Sequence, residues 1–316
     1  MLERCLWKWR LLVLLLPLAL PPAGLAAQSM PRPMSRPDQP QAGARMDPYF
    51  TAINYPLAQG TLMVMALPDF QMARTGPAFT TTMEMAEYGI TPRWSAGLMA
   101  EEQRVSGLAA TFGGLRFNTY FRLLARDHVL HFTLYGEFED LNQAALYKME
   151  VSGFGGEDLV GSLAAARNAP ARTFEQRAIV YHDWGRLNAT FNFISETGLE
   201  THDNAFGYAW GLFRQPAAMG MAGDAGMAAM PPLLSLRRLG LGVEMMGALG
   251  DNHHFGLYWH RQQQYLGPVF SYAPLPRWSL RLEPAWGLSA VSDPFVLRMG
   301  LEYTVDDFAR RLARAF

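Results

Sequence analysis

The stretch RWSLRLEPAWGLSAVSDPFVLRMGLEY (277–303) consists of two alternating segments joined by a short turn, and it decides the fold class. Successive side chains of a strand point to opposite faces, so apolar residues spaced by two share one face. The turn Val291-Ser292-Asp293 makes the two segments pair as a hairpin. The shared apolar face comprises Trp278, Leu280, Leu282, Trp286, Leu297, Met299, Leu301 and Tyr303.

The same alternation recurs from residue 60 to residue 305, with turn residues between the segments. It is clear in LRFNTYFRL (115–123), HVLHFTLYGEF (128–138) and RLNATFNF (186–193). A soluble β-sandwich also alternates. Here Leu, Phe, Trp and Met dominate one face and charges occupy the other, which is typical of transmembrane β-strands. Aromatic residues expected at strand ends, where girdles meet the membrane interface, are Trp94, Tyr135, Trp184, Trp278 and Tyr303.

Twelve strands can be counted in this region. An open sheet edge in lipid leaves unpaired backbone groups, so we expect an all-β fold, a single closed antiparallel transmembrane barrel over residues 60–305. An even number puts both chain termini in the periplasm and the longer loops outside, the longest being 140–172. Within it, ALYKMEVSG (145–153) is interpreted as a loop extension rather than a thirteenth strand. The predicted strands are 60–70, 78–90, 93–104, 108–124, 128–139, 173–183, 186–198, 204–214, 235–248, 264–274, 277–290 and 294–305.

The chain begins with the features of an export signal. Basic residues precede the apolar run LLVLLLPLAL (11–20), and small residues lead to a cleavage site after Ala26 or Ala27. Prolines disfavour the alternative, an uncleaved anchor helix, so residues 1–27 are predicted to be a cleaved signal peptide. The single cysteine, Cys5, lies in this leader, which excludes disulfides and cysteine-based sites from the mature chain.

The segments flanking the predicted barrel differ from it in composition. Residues 28–59 begin with a stretch rich in Pro, Gln and Ser and are interpreted as a disordered linker and lead-in. Residues 306–316, DDFARRLARAF, place Phe308, Leu312 and Phe316 at helical spacing. They are therefore expected to form an amphipathic C-terminal tail.

Composition excludes several classes of protein. Half of the residues are hydrophobic and 17% are charged, so disorder throughout is excluded. Beyond residue 27 no apolar run approaches the roughly 18 residues that a spanning helix needs. The formal net charge of −1 gives no basic footprint for nucleic acid.

Three stretches resemble the outer-membrane β-barrel transporters grouped under the label "MetA-pathway of phenol degradation". They are EQRAIVYHDWGRLNATFNF (175–193), YLGPVFSYAPLPRWSLRLEPAWGL (265–288) and DPFVLRMGLEYTV (293–305). The resemblance implies a barrel and a channel role, and it carries over no catalytic residue. The Met-Ala-Gly insert at 216–230 departs from the family pattern, and so does the tail after the last strand.

The polar faces of the strands supply the candidate lumen-lining residues. In a hydrated barrel they would set selectivity by charge. The alternative is that they pair and plug the lumen, because barrels of this size fall between filled and open interiors. The candidates are Arg116, Asn118, Arg122, His131, Glu137, Asn188, Asn192, Glu244, Arg281, Glu283, Arg298 and Glu302.

No catalytic constellation stands out, and no cofactor is expected. The pairs His182-Asp183 and His202-Asp203 are adjacent in sequence, so within a strand their side chains would point to opposite faces. Thioethers suit Cu(I), and the candidate soft ligands lie in the insert at 216–230, called the Met-rich link, in the pair Met83 and Met85, and beside them in His253-His254. Low-complexity sequence is the preferred interpretation of the methionines of the link, Met219, Met221, Met227 and Met230.

The sequence thus predicts a non-enzymatic porin-like barrel of a Gram-negative outer membrane that passes small solutes passively. The expected partners are outer-membrane lipid, the barrel assembly machinery and the solutes, without nucleic acid. Two alternatives remain: a non-conducting barrel that acts through loop 140–172, and a copper-linked barrel that uses the Met-rich link.

Overall fold

The computed structural model describes residues 47–74, 77–124, 129–142, 172–217, 232–233, 235–275 and 277–315. Regular structure in these ranges consists of twelve strands, a short 3-10 turn at Leu236–Arg238 and one C-terminal helix. No helix in the described ranges is long and apolar enough to cross a bilayer. The strands are β1 (Leu62–Met72), β2 (Phe79–Thr91), β3 (Trp94–Val105), β4 (Thr111–Arg122), β5 (His131–Leu141), β6 (Arg172–Trp184), β7 (Leu187–Gly198), β8 (Asn204–Arg214), β9 (Leu239–Asp251), β10 (Gln264–Tyr272), β11 (Trp278–Gly287) and β12 (Phe295–Val305).

The strands close into one antiparallel barrel in which each strand pairs with its neighbours in sequence and β1 pairs with β12. Closure joins Leu62 to Val305 and Met72 to Phe295, so no sheet edge is left between the first and last strands. The prediction of a twelve-stranded closed barrel is confirmed. Observed strand ends differ from the predicted ones by a few residues, as expected where turns rather than alternation set the boundary.

The outer surface carries an apolar belt. Large side chains such as Leu98 and Phe117 are about half exposed, with 54% and 52% of their surface accessible. Trp278 and Tyr303 pack together 4.8 Å apart at the end where β1 begins and β12 ends, which we call the terminal end. Tyr135 was expected in a girdle, but this assignment was wrong, because Tyr135 lies in the middle of β5 with its ring buried inside the barrel.

Residues before the first strand occupy part of the barrel interior. Residues 47–58, which we call the lumen loop, lie inside the barrel, where Tyr49 and Ala52 are buried among inward side chains of β7 to β12. The chain leaves the lumen beside Gly89, whose amide donates to the Thr61 carbonyl at 2.9 Å. The sequence had indicated only a disordered linker and lead-in here. Residues 28–46 lie outside the described part.

The C-terminal helix α1 (Phe308–Ala315) follows β12 directly. The Phe308 amide donates to the Gly60 carbonyl at 2.8 Å, and the Phe308 ring meets Tyr88 edge-on, with ring centroids 6.4 Å apart. These contacts attach the start of α1 to the terminal end of the barrel. Most of the predicted external loop 140–172 and of the Met-rich link lies outside the described residues.

Candidate functional site

The candidate site is the barrel lumen, because the structure places the predicted polar set on the inward face. Ten of its side chains are buried, while Arg116 is held by carboxylates and His131 stacks on Tyr181, with ring centroids 4.8 Å apart. The buried members are Asn118, Arg122, Glu137, Asn188, Asn192, Glu244, Arg281, Glu283, Arg298 and Glu302.

Glu244 of β9 holds the turn of the lumen loop. Its carboxylate accepts the backbone N–H of Phe50 at 2.9 Å and those of Thr51 and Ala52 at 2.6 Å each. Three amides on one carboxylate form a charge-assisted site for a chain reversal. The prediction named Glu244 as a lumen residue but gave no indication of these backbone partners.

The carbonyl groups of the lumen loop are bound by the wall as well. Arg281 donates to the carbonyls of Asp47 and Tyr49 at 2.8 and 2.7 Å, and Asn192 donates to that of Ile53 at 2.9 Å. Buried backbone groups must find partners, and here polar wall side chains supply them. The wall therefore binds the lumen loop largely through its main chain.

Thr51 shows that the lumen loop spans the whole lumen. Its carbonyl accepts a hydrogen bond from Arg177 of β6, and its hydroxyl accepts one from Arg298 of β12. These strands are six positions apart in a ring of twelve, so they lie on opposite walls. At this level the lumen loop connects the two walls.

Two aromatic rings anchor the lumen loop. Tyr49 packs edge-on against Phe213, with centroids 6.1 Å apart, and donates from its hydroxyl to the Asn188 amide oxygen at 3.0 Å. Phe50 lies between the guanidinium groups of Arg281 and Arg298, at 5.2 and 5.0 Å from its ring centre. Stacking of this kind favours cations over an aromatic face.

The lumen loop also closes on itself. The Asp47 carboxylate accepts hydrogen bonds from the Asn54 backbone amide at 2.8 Å and from its side-chain amide at 3.1 Å. Burial raises the pKa of the Asp47 carboxyl to about 7, while the positive charge of Arg281 acts in the opposite direction. The contact that fixes the shape of the lumen loop therefore contains a group that titrates near neutrality.

Charged side chains of the wall form two clusters. Arg298 lies 3.2 Å from Asp69 and 3.7 Å from Glu283. Arg116 lies 2.6 Å from Glu101 and 3.2 Å from Glu137, and it also contacts Glu139. Paired signs reduce the cost of burying these charges.

The charged residues Arg281, Glu283, Arg298 and Glu302 of the last two strands form a common cluster only in part. Glu283 and Arg298 face each other across β11 and β12, as the hairpin register requires. Arg281 instead bonds the lumen loop, and the nearest carboxylate of Arg298 is Asp69 on β1. The sequence could not show this, because the lumen loop and the β1–β12 closure were both needed to position the partners.

Carboxylates outnumber guanidinium groups inside the barrel. Among the described residues of the strands, eleven buried side chains are Asp or Glu and three are Arg, with Arg116 and Arg177 partly buried in addition. The lumen therefore has an excess of acidic groups, which favours cations over anions in the space between the walls.

Sequence reasoning missed the lumen loop although a signal was present. After the polar, Pro-rich stretch, DPYFTAINYPL (47–57) abruptly brings aromatic and aliphatic residues before the first alternating strand. Apolar residues in a segment with no strand partner need some other surface to cover them. In this fold that surface is the inside of the barrel.

No group of three or more His, Cys, Asp or Glu side chains in the described ranges is placed to hold a metal ion. The Met-rich link residues Met219, Met221, Met227 and Met230 lie outside those ranges. The structure therefore leaves the expectation about that link untested.

Comparison with known proteins gives no family. No family model matches the chain, and no curated protein matches it. The resemblance to the phenol-degradation barrels therefore stays a prediction.

Among solved structures, similar chains include KdgM porin in complex with disordered oligogalacturonate, at 8% identity and a TM-score of 0.46, covering 76% of this chain and 98% of that one. The COG4313 outer membrane channel from Pseudomonas putida F1 has 10% identity and a TM-score of 0.45, covering 79% and 96%. LpxR from Salmonella typhimurium has 11% identity and a TM-score of 0.37, covering 77% and 99%. At these values the likeness carries no argument about activity, and the barrel is established by its own closed hydrogen-bond ladder.

Proposed function

We propose that this protein is an outer-membrane channel for small solutes and that the lumen loop controls whether the solutes pass. The observation that carries the proposal is the bridge from Arg177 through Thr51 to Arg298, which places a segment that is not part of the wall across the lumen. The apolar belt and the polar, charged interior are the arrangement expected of a barrel that separates lipid from a hydrophilic path.

The lumen loop is separable from the wall in a way that inward side chains are not. It is one short segment that leads into β1, and hydrogen bonds to main-chain groups hold much of it. Water can replace such bonds when the segment leaves, which lowers the cost of release. A barrel of this size without the lumen loop would retain space along its axis.

The solutes should be small and neutral or cationic. The excess of buried carboxylates disfavours anions at close quarters. The resemblance to the phenol-degradation barrels identifies no solute for this chain. Export through a cleaved leader would place the terminal end of the barrel in the periplasm.

A lock on the lumen loop tests the proposal. The chain has one cysteine, in the leader, so cysteines can be introduced into the mature protein without a background thiol. Thr51 and Met246 are suitable positions because the Thr51 hydroxyl lies 3.0 Å from the Met246 sulfur, so a short bifunctional methanethiosulfonate reagent can link cysteines placed there. Conductance in planar bilayers is compared for wild type, T51C/M246C, the two single variants and a variant lacking residues 47–57.

The expected results are a large stable conductance for the deletion, loss of all openings in the cross-linked double variant, and recovery with reductant. Each single variant shows the effect of its own substitution on the openings, and neither should respond to reductant. A non-conducting barrel is the alternative that dense bonding of the lumen loop favours, and it predicts no conductance even after deletion. That result, with the deletion variant still heat-modifiable on gels, would reject the channel.

A further inference from the structure

Beyond the passage of solutes, we propose that the lumen wall contains a binding site for a soft monovalent metal ion, Cu(I) or Ag(I), formed by Met65, Met85 and Met99. The three thioethers come from three adjacent strands and lie on the inner face, with 6 to 7% of each residue exposed. The site is distinct from the Met-rich link, and it does not depend on whether the barrel conducts.

The strand register places the three residues at one level of the wall. Met65 of β1 pairs directly with Met85 of β2, and Met85 pairs directly with Met99 of β3. Directly opposed residues of antiparallel strands have Cβ atoms about 5 Å apart. Because a barrel wall is concave inside, inward side chains of adjacent strands converge, and the three flexible methionines can direct their sulfurs to one point.

Met63 extends the sulfur group. It lies two residues before Met65 on the same face of β1, is 9% exposed and packs in one cluster with the other three methionines. A fourth thioether can therefore complete the coordination or hold an ion that passes along the wall.

The sulfur atoms are accessible to polar groups instead of being enclosed by hydrocarbon. The Asn118 amide lies 3.6 Å from the Met85 sulfur as a donor, and the Arg281 guanidinium donates to the Met65 sulfur. A metal ion that binds these sulfurs would take the place of the two donors. If an ion takes the Met65 sulfur, Arg281 keeps its two carbonyl partners on the lumen loop.

Two buried carboxylates stand beside the sulfurs. Glu302 of β12 pairs directly with Met65, and Glu87 of β2 pairs directly with Met63. Neutral thioethers leave the charge of a bound cation uncompensated, and these carboxylates supply nearby negative charge. Soft neutral thioether ligands suit Cu(I) and Ag(I) better than hard divalent ions, which prefer oxygen ligands.

Packing alone would not require methionine here. The same cluster covers Leu57 of the lumen loop and Leu67 of β1, a task that leucine side chains of similar volume would perform. Leucine at these positions should therefore keep the fold and remove only the sulfur ligands. This difference makes the two explanations separable by substitution.

The experiment measures Ag(I) bound to the refolded full-length mature barrel in detergent and chloride-free buffer, by elemental analysis after desalting. The test variant is M65L/M85L/M99L. The matched control is M72L/M299L, which removes outward methionines of β1 and β12 that are 47% and 38% exposed. Both retain the Met-rich link, so binding there cancels in the comparison.

We expect the test variant to bind one Ag(I) fewer than wild type and the control to bind as many as wild type. Equal binding by the test variant and wild type would overturn the site, as would a wild type that binds none. Should the test variant fail to fold, methyl NMR of wild type labelled at methionine gives the answer. The site predicts that the resonances of Met65, Met85 and Met99 shift first on titration with Ag(I), and it is rejected if they do not move.

Discussion

At the scale of single residues, Glu84 is a charged side chain within the apolar belt. It lies near the middle of β2 on the outer face, exposed, with Ala66 of β1 and Ala100 of β3 beside it. A carboxylate facing lipid at this depth is unfavourable, although less so than Arg or Lys. We expect Glu84→Leu to raise the free energy of unfolding by about 1 kcal/mol in bilayers.

Urea-induced unfolding in lipid vesicles, followed by tryptophan fluorescence, measures this change. The reciprocal variant, Leu282→Glu on the outer face of β11, should lower the midpoint. An unchanged or lower midpoint for Glu84→Leu would mean that Glu84 has a partner on the barrel exterior in the membrane.

Gly211 leaves the space that the Tyr49 ring occupies. A Cβ at this position of β8 would come within 2.1 Å of a Tyr49 ring carbon, and the ring is enclosed by Phe213 and Asn188. Gly211→Ala should therefore displace the ring and weaken binding of the lumen loop to the wall. The hydrogen bonds between the strands should remain intact. The expected readout is more frequent openings in single-channel recordings.

Gly136→Ala on β5 is the control for Gly211→Ala, since its Cβ would have 3.5 Å to its nearest neighbour. It should record like wild type. Identical traces for Gly211→Ala and Gly136→Ala would show that the Tyr49 ring can relocate without cost.

At the scale of elements, the lumen loop is expected to respond to pH through Asp47. Its carboxyl has a pKa of about 7 when the lumen loop is seated, raised by burial from 3.8. The seated state therefore holds the proton more tightly than the released state, so seating is favoured at low pH and weakens as pH rises through about 7. Open probability should accordingly be higher at about pH 8.5 than at about pH 5.5.

Asp47→Asn removes the titrating group while keeping a side chain that can accept hydrogen bonds from Asn54. Its open probability should change little across the same pH range and should stay low. A pH response of full size in Asp47→Asn would assign the titration to another group.

The strands could be predicted from sequence because each carries its own signal. In β4, Leu115 and Phe117 alternate with Arg116 and Asn118, and this alternation alone fixes which face meets the exterior. The lumen loop has no comparable periodicity, since its conformation is set by Glu244, Arg281 and Asn192 on distant strands. The Met65, Met85 and Met99 group was missed for the same reason: only the strand register shows that these residues share one level.

At the scale of the whole molecule, charge balance and closure act together. Fewer arginines than carboxylates compensate the buried negative charge of the barrel. Three of these arginines, Arg177, Arg281 and Arg298, also bind the lumen loop. When the lumen loop is removed, the arginines regain water and the acidic excess faces an open path. The variant lacking residues 47–57 should therefore be cation-selective, with a reversal potential in a KCl gradient on the cation side of zero.

The carboxylates responsible can be identified by neutralisation in the same deletion variant. Glu244→Gln together with Glu283→Gln should move the reversal potential toward zero, because Glu244 loses its loop amides on deletion and Glu283 lies fully buried beside Arg298. Glu102→Gln, on the outward face of β3, is the matched control and should leave the potential unchanged. If both variants shift it equally, the selectivity comes from the overall charge of the barrel mouth, and the lumen carboxylates do not determine it.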